Sequence, residues 1–115
     1  MLFLSSMNPL EKLQQKLIDF RNERDWKQFH NGKDLALALS IEAAELNELF
    51  LWKDASEVDL LKLKEELADV FAYAFLLADC YDLDVEKIVE EKIIKNGIKY
   101  PVDKSKGSNT KYSEL

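Results

Sequence analysis

Apolar residues recur at helical spacing along most of the chain, and the spacing breaks at residues suited to caps and turns. Leu10, Leu13, Leu17 and Phe20 form one stripe behind Asn8 and Pro9, a capping residue followed by proline at the first helical position, so a helix is predicted over Pro9 to about Arg24. The stretch Asp25 to Gly32 loses the period, carries two aromatics and the lone His30, and ends in Asn31-Gly32, which predicts a loop. From Asp34 to about Trp52, Ala and Leu run almost continuously, broken only by acids. This pattern predicts a helix covered over most of its circumference. A second long helix is predicted from about Glu57 to Tyr81, with Leu60, Leu63, Leu67, Val70, Phe71, Ala74, Phe75 and Ala78 facing its partners. Asp84 is placed to cap a shorter helix through Val85, Ile88, Val89, Ile93 and Ile94, ending before Gly97. Beyond Pro101 the segment is polar and without period, the pattern of a flexible tail. The reading is an all-α, four-helix bundle-like fold with a single domain over residues 1–101 and a tail over 102–115. Residues 1–7 are read as dispensable, since Met7 could begin the chain without loss of any motif.

Composition supports the class and narrows the partners. A chain of 115 residues that is 47% hydrophobic can build one core but not two, and three Gly and two Pro leave long segments free of strong helix breakers. With 22 acids against 16 Lys and Arg the formal charge is −6, which opposes the backbone of polymeric nucleic acid. A single nucleotide stays open to such a chain, because a divalent cation can screen its phosphates. Cys80 stands alone, so there is no intrachain disulfide framework. It is read as a buried helix residue in a protein of a reducing, cytoplasmic compartment. MLFLSS is too short for a signal-peptide core, and no stretch reaches membrane-spanning length, so no membrane is expected.

The acids carry the candidate chemistry. Glu42-x-x-Glu45 and Glu66-x-x-Asp69 each set two carboxylates three residues apart, on one face of a helix, with twenty residues between the motifs. Ala38, Leu39 and Leu46 lie at the helical neighbours of Glu42, and Ala72 and Tyr73 at those of Asp69, so the acids border an apolar stripe. No basic residue falls between Ile41 and Trp52. Carboxylates turned toward a helix interface lose hydration and need a cation, a proton or hydrogen bonds, and oxygen ligands favour Mg²⁺ or Mn²⁺. Di-iron chemistry would call for Glu-x-x-His pairs, and the single histidine lies in a predicted loop. Any one acidic pair is ordinary on a solvated helix. The two together, both against apolar residues, point to a metal site, with a non-catalytic helical interaction module as the alternative.

The chain resembles the MazG-like all-α nucleoside triphosphate pyrophosphohydrolases, whose signature is E-x-x-E followed by E-x-x-D. The stretches FRNERDWKQFHNGKDLALALSIEAAELNELFLWK, EELADVFAYAFLLA and KNGIKYPV resemble the dCTP pyrophosphatase branch. The resemblance implies Mg²⁺-dependent hydrolysis of a nucleoside triphosphate, dCTP or a modified dCTP foremost, to the monophosphate and pyrophosphate, cleansing the nucleotide pool. It implies Glu42, Glu45, Glu66 and Asp69 as metal ligands, and assembly into a homo-oligomer, dimer or tetramer. A carboxylate not saturated by metal could take the proton of the attacking water, and Glu45 is assigned that role. Trp26, Phe29, His30, Trp52 and Tyr73 are the candidates for holding base and sugar, since planar bases stack on aromatic faces. Each also has a packing role open to it. Lys95, Asn96, Lys99 and Tyr100 could meet the triphosphate, or the lysines could simply complement a helix C-terminus. Lys99 stands where the family pattern leads one to expect Arg, which removes bidentate phosphate recognition. An aromatic clamp stacks any base, so the same chemistry on another canonical or damaged triphosphate is the nearest alternative.

Overall fold

The computed structural model describes residues 6–115; five of the seven N-terminal residues read as dispensable lie outside the described residues. Among the described residues there is no strand, and the all-α expectation holds. Four helices have fifteen residues or more: α1 (Pro9–Glu23), α2 (Gly32–Glu48), α3 (Leu60–Cys80) and α4 (Val85–Lys99). A single turn, α5 (Val102–Ser105), follows Pro101. The chain divides into two compact units, Met1–Leu83 and Asp84–Leu115.

Local chemistry explains where each helix begins. Asn8, Asn31, Asp59 and Asp84 all take extended backbone and accept hydrogen bonds from amides of the first turn they cap. Asn31 therefore starts α2 at Gly32, inside the predicted loop. Gly32 is required there for a second reason, since a Cβ would overlap the Tyr81 ring. The same helix stops earlier than the apolar run suggested. After Glu48 the amides of Leu49, Phe50 and Leu51 bond to carbonyls three residues back, and Trp52 turns to φ 61°, outside the right-handed helical region. A 3₁₀ turn at Ala55–Glu57, closed by a capping box between Asp54 and Glu57, takes up residues predicted to begin α3.

In the first unit α1, α2 and α3 run up, down and up. α2 packs along α3, and α1 packs on α3. Two long-range polar ties hold α1 in place: Gln14 Nε2 donates to the Phe75 carbonyl at 3.1 Å, and Arg21 Nη1 donates to Asp79 Oδ2 at 3.2 Å. Among the described residues the buried apolar ones are Leu35, Phe75, Leu76 and Ala78, where the start of α2 meets the end of α3. The expected burial of α2 over most of its circumference is not found. Leu37 and Ile41 are more than half exposed because, within this chain, α2 is covered along its α3-facing side and not around its circumference. Cys80, expected to be buried, is exposed at the end of α3, with its thiol 3.9 Å from the His30 carbonyl.

In the second unit α4 runs on through Gly97, past its predicted end, to Lys99. Gly97 keeps a negative φ, and the Tyr100 amide still bonds back to Asn96. Pro101 ends the helix by pushing Tyr100 out of the helical region. The segment read as a tail carries α5, a left-handed Gly107 at φ 76°, and a 3₁₀ turn at Tyr112–Glu114. Tyr112 meets Tyr100 edge to face at 6.0 Å between ring centroids.

Candidate active site

Two antiparallel helices bring the acidic motifs together. The register that sets Gly32, at the start of α2, against Tyr81, just past the end of α3, runs Glu42 and Glu45 back toward Glu66 and Asp69. Glu42, Glu45 and Glu66 each present a carboxylate oxygen within 4.8 Å of the other two. Glu42 and Glu66 are half-buried and Glu45 is exposed. Asp69 lies one turn beyond Glu66, outside that cluster but near enough for its charge to act on both Glu42 and Glu66.

Four acids this close repel, and Glu42 and Glu66 respond. Glu42 is pushed up to about 6, first by loss of hydration, then by sharing a proton with Glu45 and by the charges of Glu45, Asp69 and Glu66. Glu66 is raised too, by desolvation and then by the Glu45 charge. Glu42 Oε2 and Glu66 Oε2 are buried without a hydrogen-bond partner. Buried carboxylate oxygens facing like charge, with no basic side chain paired to them among the described residues, suit a hard divalent cation. The residues fit that group.

Beside the acids is a cavity of about 360 Å³ lined by Leu17, Phe20, Arg21, Trp26, His30, Asp69, Ala72, Tyr73 and Leu76. Trp26, His30 and Tyr73, three of the five expected base-holding residues, thus meet around one space, and Asp69 links it to the acidic cluster. Trp26 is brought there because Asp25 turns at φ 54° and the Trp26 amide bonds to the Arg21 carbonyl. Its indole meets Phe20 edge to face at 5.9 Å. His30 is held below its ordinary value by desolvation and then by the Arg21 guanidinium, so the imidazole is neutral at pH 7. Phe29 and Trp52 line neither feature; Phe29 is 63% exposed, and Trp52 projects from its left-handed turn at 94%. Lys95, Asn96 and Lys99 lie along the end of α4 with Tyr100 as its cap, all within the second unit. There the Lys99 ammonium sits 4.8 Å over the Tyr112 ring.

Arg21 escaped the sequence reading. It falls four residues after Leu17, on the stripe of α1, and a basic residue at a stripe position is a readable sign of a buried charge.

A MazG-like family model matches residues 37–115, over two thirds of the chain and both acidic motifs. The chain belongs to the MazG-like family. Among the relatives of this MazG-like chain is dCTP pyrophosphatase 1 of Rattus norvegicus, 40% identical over 114 residues that span 92% of this chain and 67% of the relative. The Homo sapiens protein of the same name is 38% identical over the same spans. A crystal structure of a pyrophosphatase from Archaeoglobus fulgidus superposes with a TM-score of 0.77 at 36% identity, covering 83% of this chain and 94% of the other.

Proposed function

We propose that this MazG-like chain is a nucleoside triphosphate pyrophosphohydrolase that converts dCTP, or a modified dCTP, to the monophosphate and pyrophosphate. The observation that carries the reading is the cluster of Glu42, Glu45 and Glu66 within 4.8 Å, set beside an aromatic-lined cavity that shares Asp69 with it. Its relatives named dCTP pyrophosphatase 1 supply the base and the bond cleaved.

Glu42, Glu45, Glu66 and Asp69 would hold Mg²⁺, with Mn²⁺ as a substitute. When bound, the ion neutralises charge at the phosphates and acidifies nearby water. Trp26 and Tyr73 stack on the base, and His30 meets its polar edge. Phe29 and Trp52, so exposed in the single chain, are assigned to close over base and sugar. Lys95, Asn96, Lys99 and Tyr100 are assigned to the triphosphate by their donors and charge. Glu45, the exposed member of the cluster, accepts the proton of the attacking water. The water oxygen bonds to the α-phosphorus, and the bond to the α,β-bridging oxygen breaks. Pyrophosphate leaves with that electron pair.

Leu37 and Ile41 on α2 and Phe71 on α3 are each more than half exposed, and such apolar faces on the central helices support a homo-oligomer, dimer or tetramer. No described helix is long and apolar enough to cross a membrane. The cytoplasmic assignment rests on the solitary, exposed Cys80 thiol.

The test is pyrophosphate release from the canonical ribo- and deoxynucleoside triphosphates, each with Mg²⁺ and with chelator, beside the Asp69→Ala protein. Mg²⁺-dependent release strongest with dCTP and lost in Asp69→Ala is the expected result. Release spread over other bases would move the substrate, and silence from folded protein would sink the enzyme in favour of the interaction module.

A further inference from the structure

The cavity beside the acids contains a group that stacking does not use. Arg21 is 4% exposed, yet it carries a permanent charge. Its guanidinium has five N–H donors. Nη1 donates to Asp79 Oδ2 at 3.2 Å and Nε to Asn22 Oδ1 at 3.2 Å, while Nη2 makes no hydrogen bond among the described residues. A buried ion pair adds little stability over apolar side chains of the same volume, and a half-satisfied one adds less. The open space next to Arg21 is the cavity it lines, walled by Phe20, Trp26 and Tyr73. Anchored at two points, the planar fork is held in one orientation before any ligand arrives, which lowers the cost of using its remaining donors.

We propose that Arg21, braced by Asp79, is a base-recognition residue that donates hydrogen bonds to the adjacent O2 and N3 acceptors of a cytosine ring in the cavity and so rejects thymine and uracil. The proposal rests on the nucleotide reading above. The discrimination follows from ring chemistry. Cytosine offers two neighbouring acceptors at O2 and N3, whereas thymine and uracil carry a hydrogen on N3 that would face the guanidinium donors. A donor set against a donor leaves both unpaired in a cavity lined mostly by apolar side chains, the costliest kind of mismatch. His30 complements Arg21: its Nδ1 is buried without a partner, and cytosine alone among the pyrimidines carries a 4-amino donor for such an acceptor.

The experiment measures dCMP and dTMP binding to the full chain by calorimetry without metal, so the readout does not depend on turnover. It compares the parent protein, Arg21→Lys, and the double variant Arg21→Leu with Asp79→Leu, which removes both charges together and leaves neither of them without its counter-charge. The parent should prefer dCMP by about tenfold or more, the discrimination of one good bidentate pair. Arg21→Lys, which keeps the charge but not the fork, should lose most of that preference. The double variant should bind both nucleotides within about twofold of each other, the residue of affinity coming from stacking. A parent without preference, or variants that weaken both nucleotides equally and keep the ratio, would overturn the proposal and leave Arg21 a purely structural tie. A dCMP preference that Arg21 variants abolish, in a protein that cleaves no triphosphate, would sustain the proposal and overturn the enzyme alone.

Discussion

The acidic cluster and the aromatic cavity share α3, but they are built in different ways. The cluster is made of residues three apart on two straight helices, so its geometry follows from helix period and one register. The cavity draws on α1, the turn after it, the loop before α2 and the face of α3, and depends on a left-handed Asp25 and on an ion pair of buried Arg21 with partly exposed Asp79. The difference separates the labours of the site. In the proposed function, rigid helices hold the charge that any triphosphate needs, and irregular backbone shapes the space that would choose among bases.

The largest effect is expected at Glu45, the carboxylate proposed to accept the proton. Glu45→Gln should lower kcat by about 10²–10⁴-fold, the range for loss of a general base, with base preference unchanged. A shift in preference measured on the triphosphate panel would show the two regions to be one. Leu35→Ala should loosen both regions at once, because Leu35 is 2% exposed at the junction that sets α2 against α3. A loss of about 2–5 kcal/mol is expected on denaturant unfolding, with the acidic cluster and the start of α2 beside the cavity loosened together. Trp26→Ala should act on the cavity alone. Loss of one stacking surface, about 1–3 kcal/mol, should raise KM for the preferred nucleotide roughly tenfold, while the Mg²⁺ concentration for half-maximal rate stays as in the parent.

The mildest effect is on pH dependence. Glu42 is raised from 4.5 to about 6 and Glu66 is raised as well, so the folded, metal-free protein holds protons that the unfolded chain releases. Stability from these groups is fully present below the unfolded value and is lost as pH rises through about 6. In chelator, the melting temperature should fall by a few degrees from about pH 5 to about pH 7, and a divalent cation should restore it at the higher pH. A flat profile in chelator would mean that the carboxylates do not crowd in solution.

Much of this was legible in the chain. Stripes spaced by three and four located all four long helices, and Asn8-Pro9 and Asp84 marked starts that the structure keeps. The acidic pairs could be placed on helices from spacing alone, although the early end of α2 puts Glu45 in its last turn. The errors lie at ends and on faces. α2 ends at Glu48 because the chain tightens into i→i+3 bonds before Trp52, a local choice that an apolar run does not signal. α4 passes Gly97 because glycine permits a helix stop without enforcing one, whereas Pro101 removes the donor and blocks the residue before it.

The helices, and the pairing of acids within each motif, follow from spacing along the chain, because a helical period spans fewer residues than two turns. Packing between distant segments is what brings Glu66 within 4.8 Å of Glu42 and Glu45, sets Asp69 at the cavity, and lays buried Arg21 against Asp79 fifty-eight residues away. Helix period places side chains on a face. Which faces meet, and at what register, is set by the packing of Leu35, Phe75 and Leu76 and by the close approach of Tyr81 to Gly32, contacts between residues distant in the chain that no local spacing encodes.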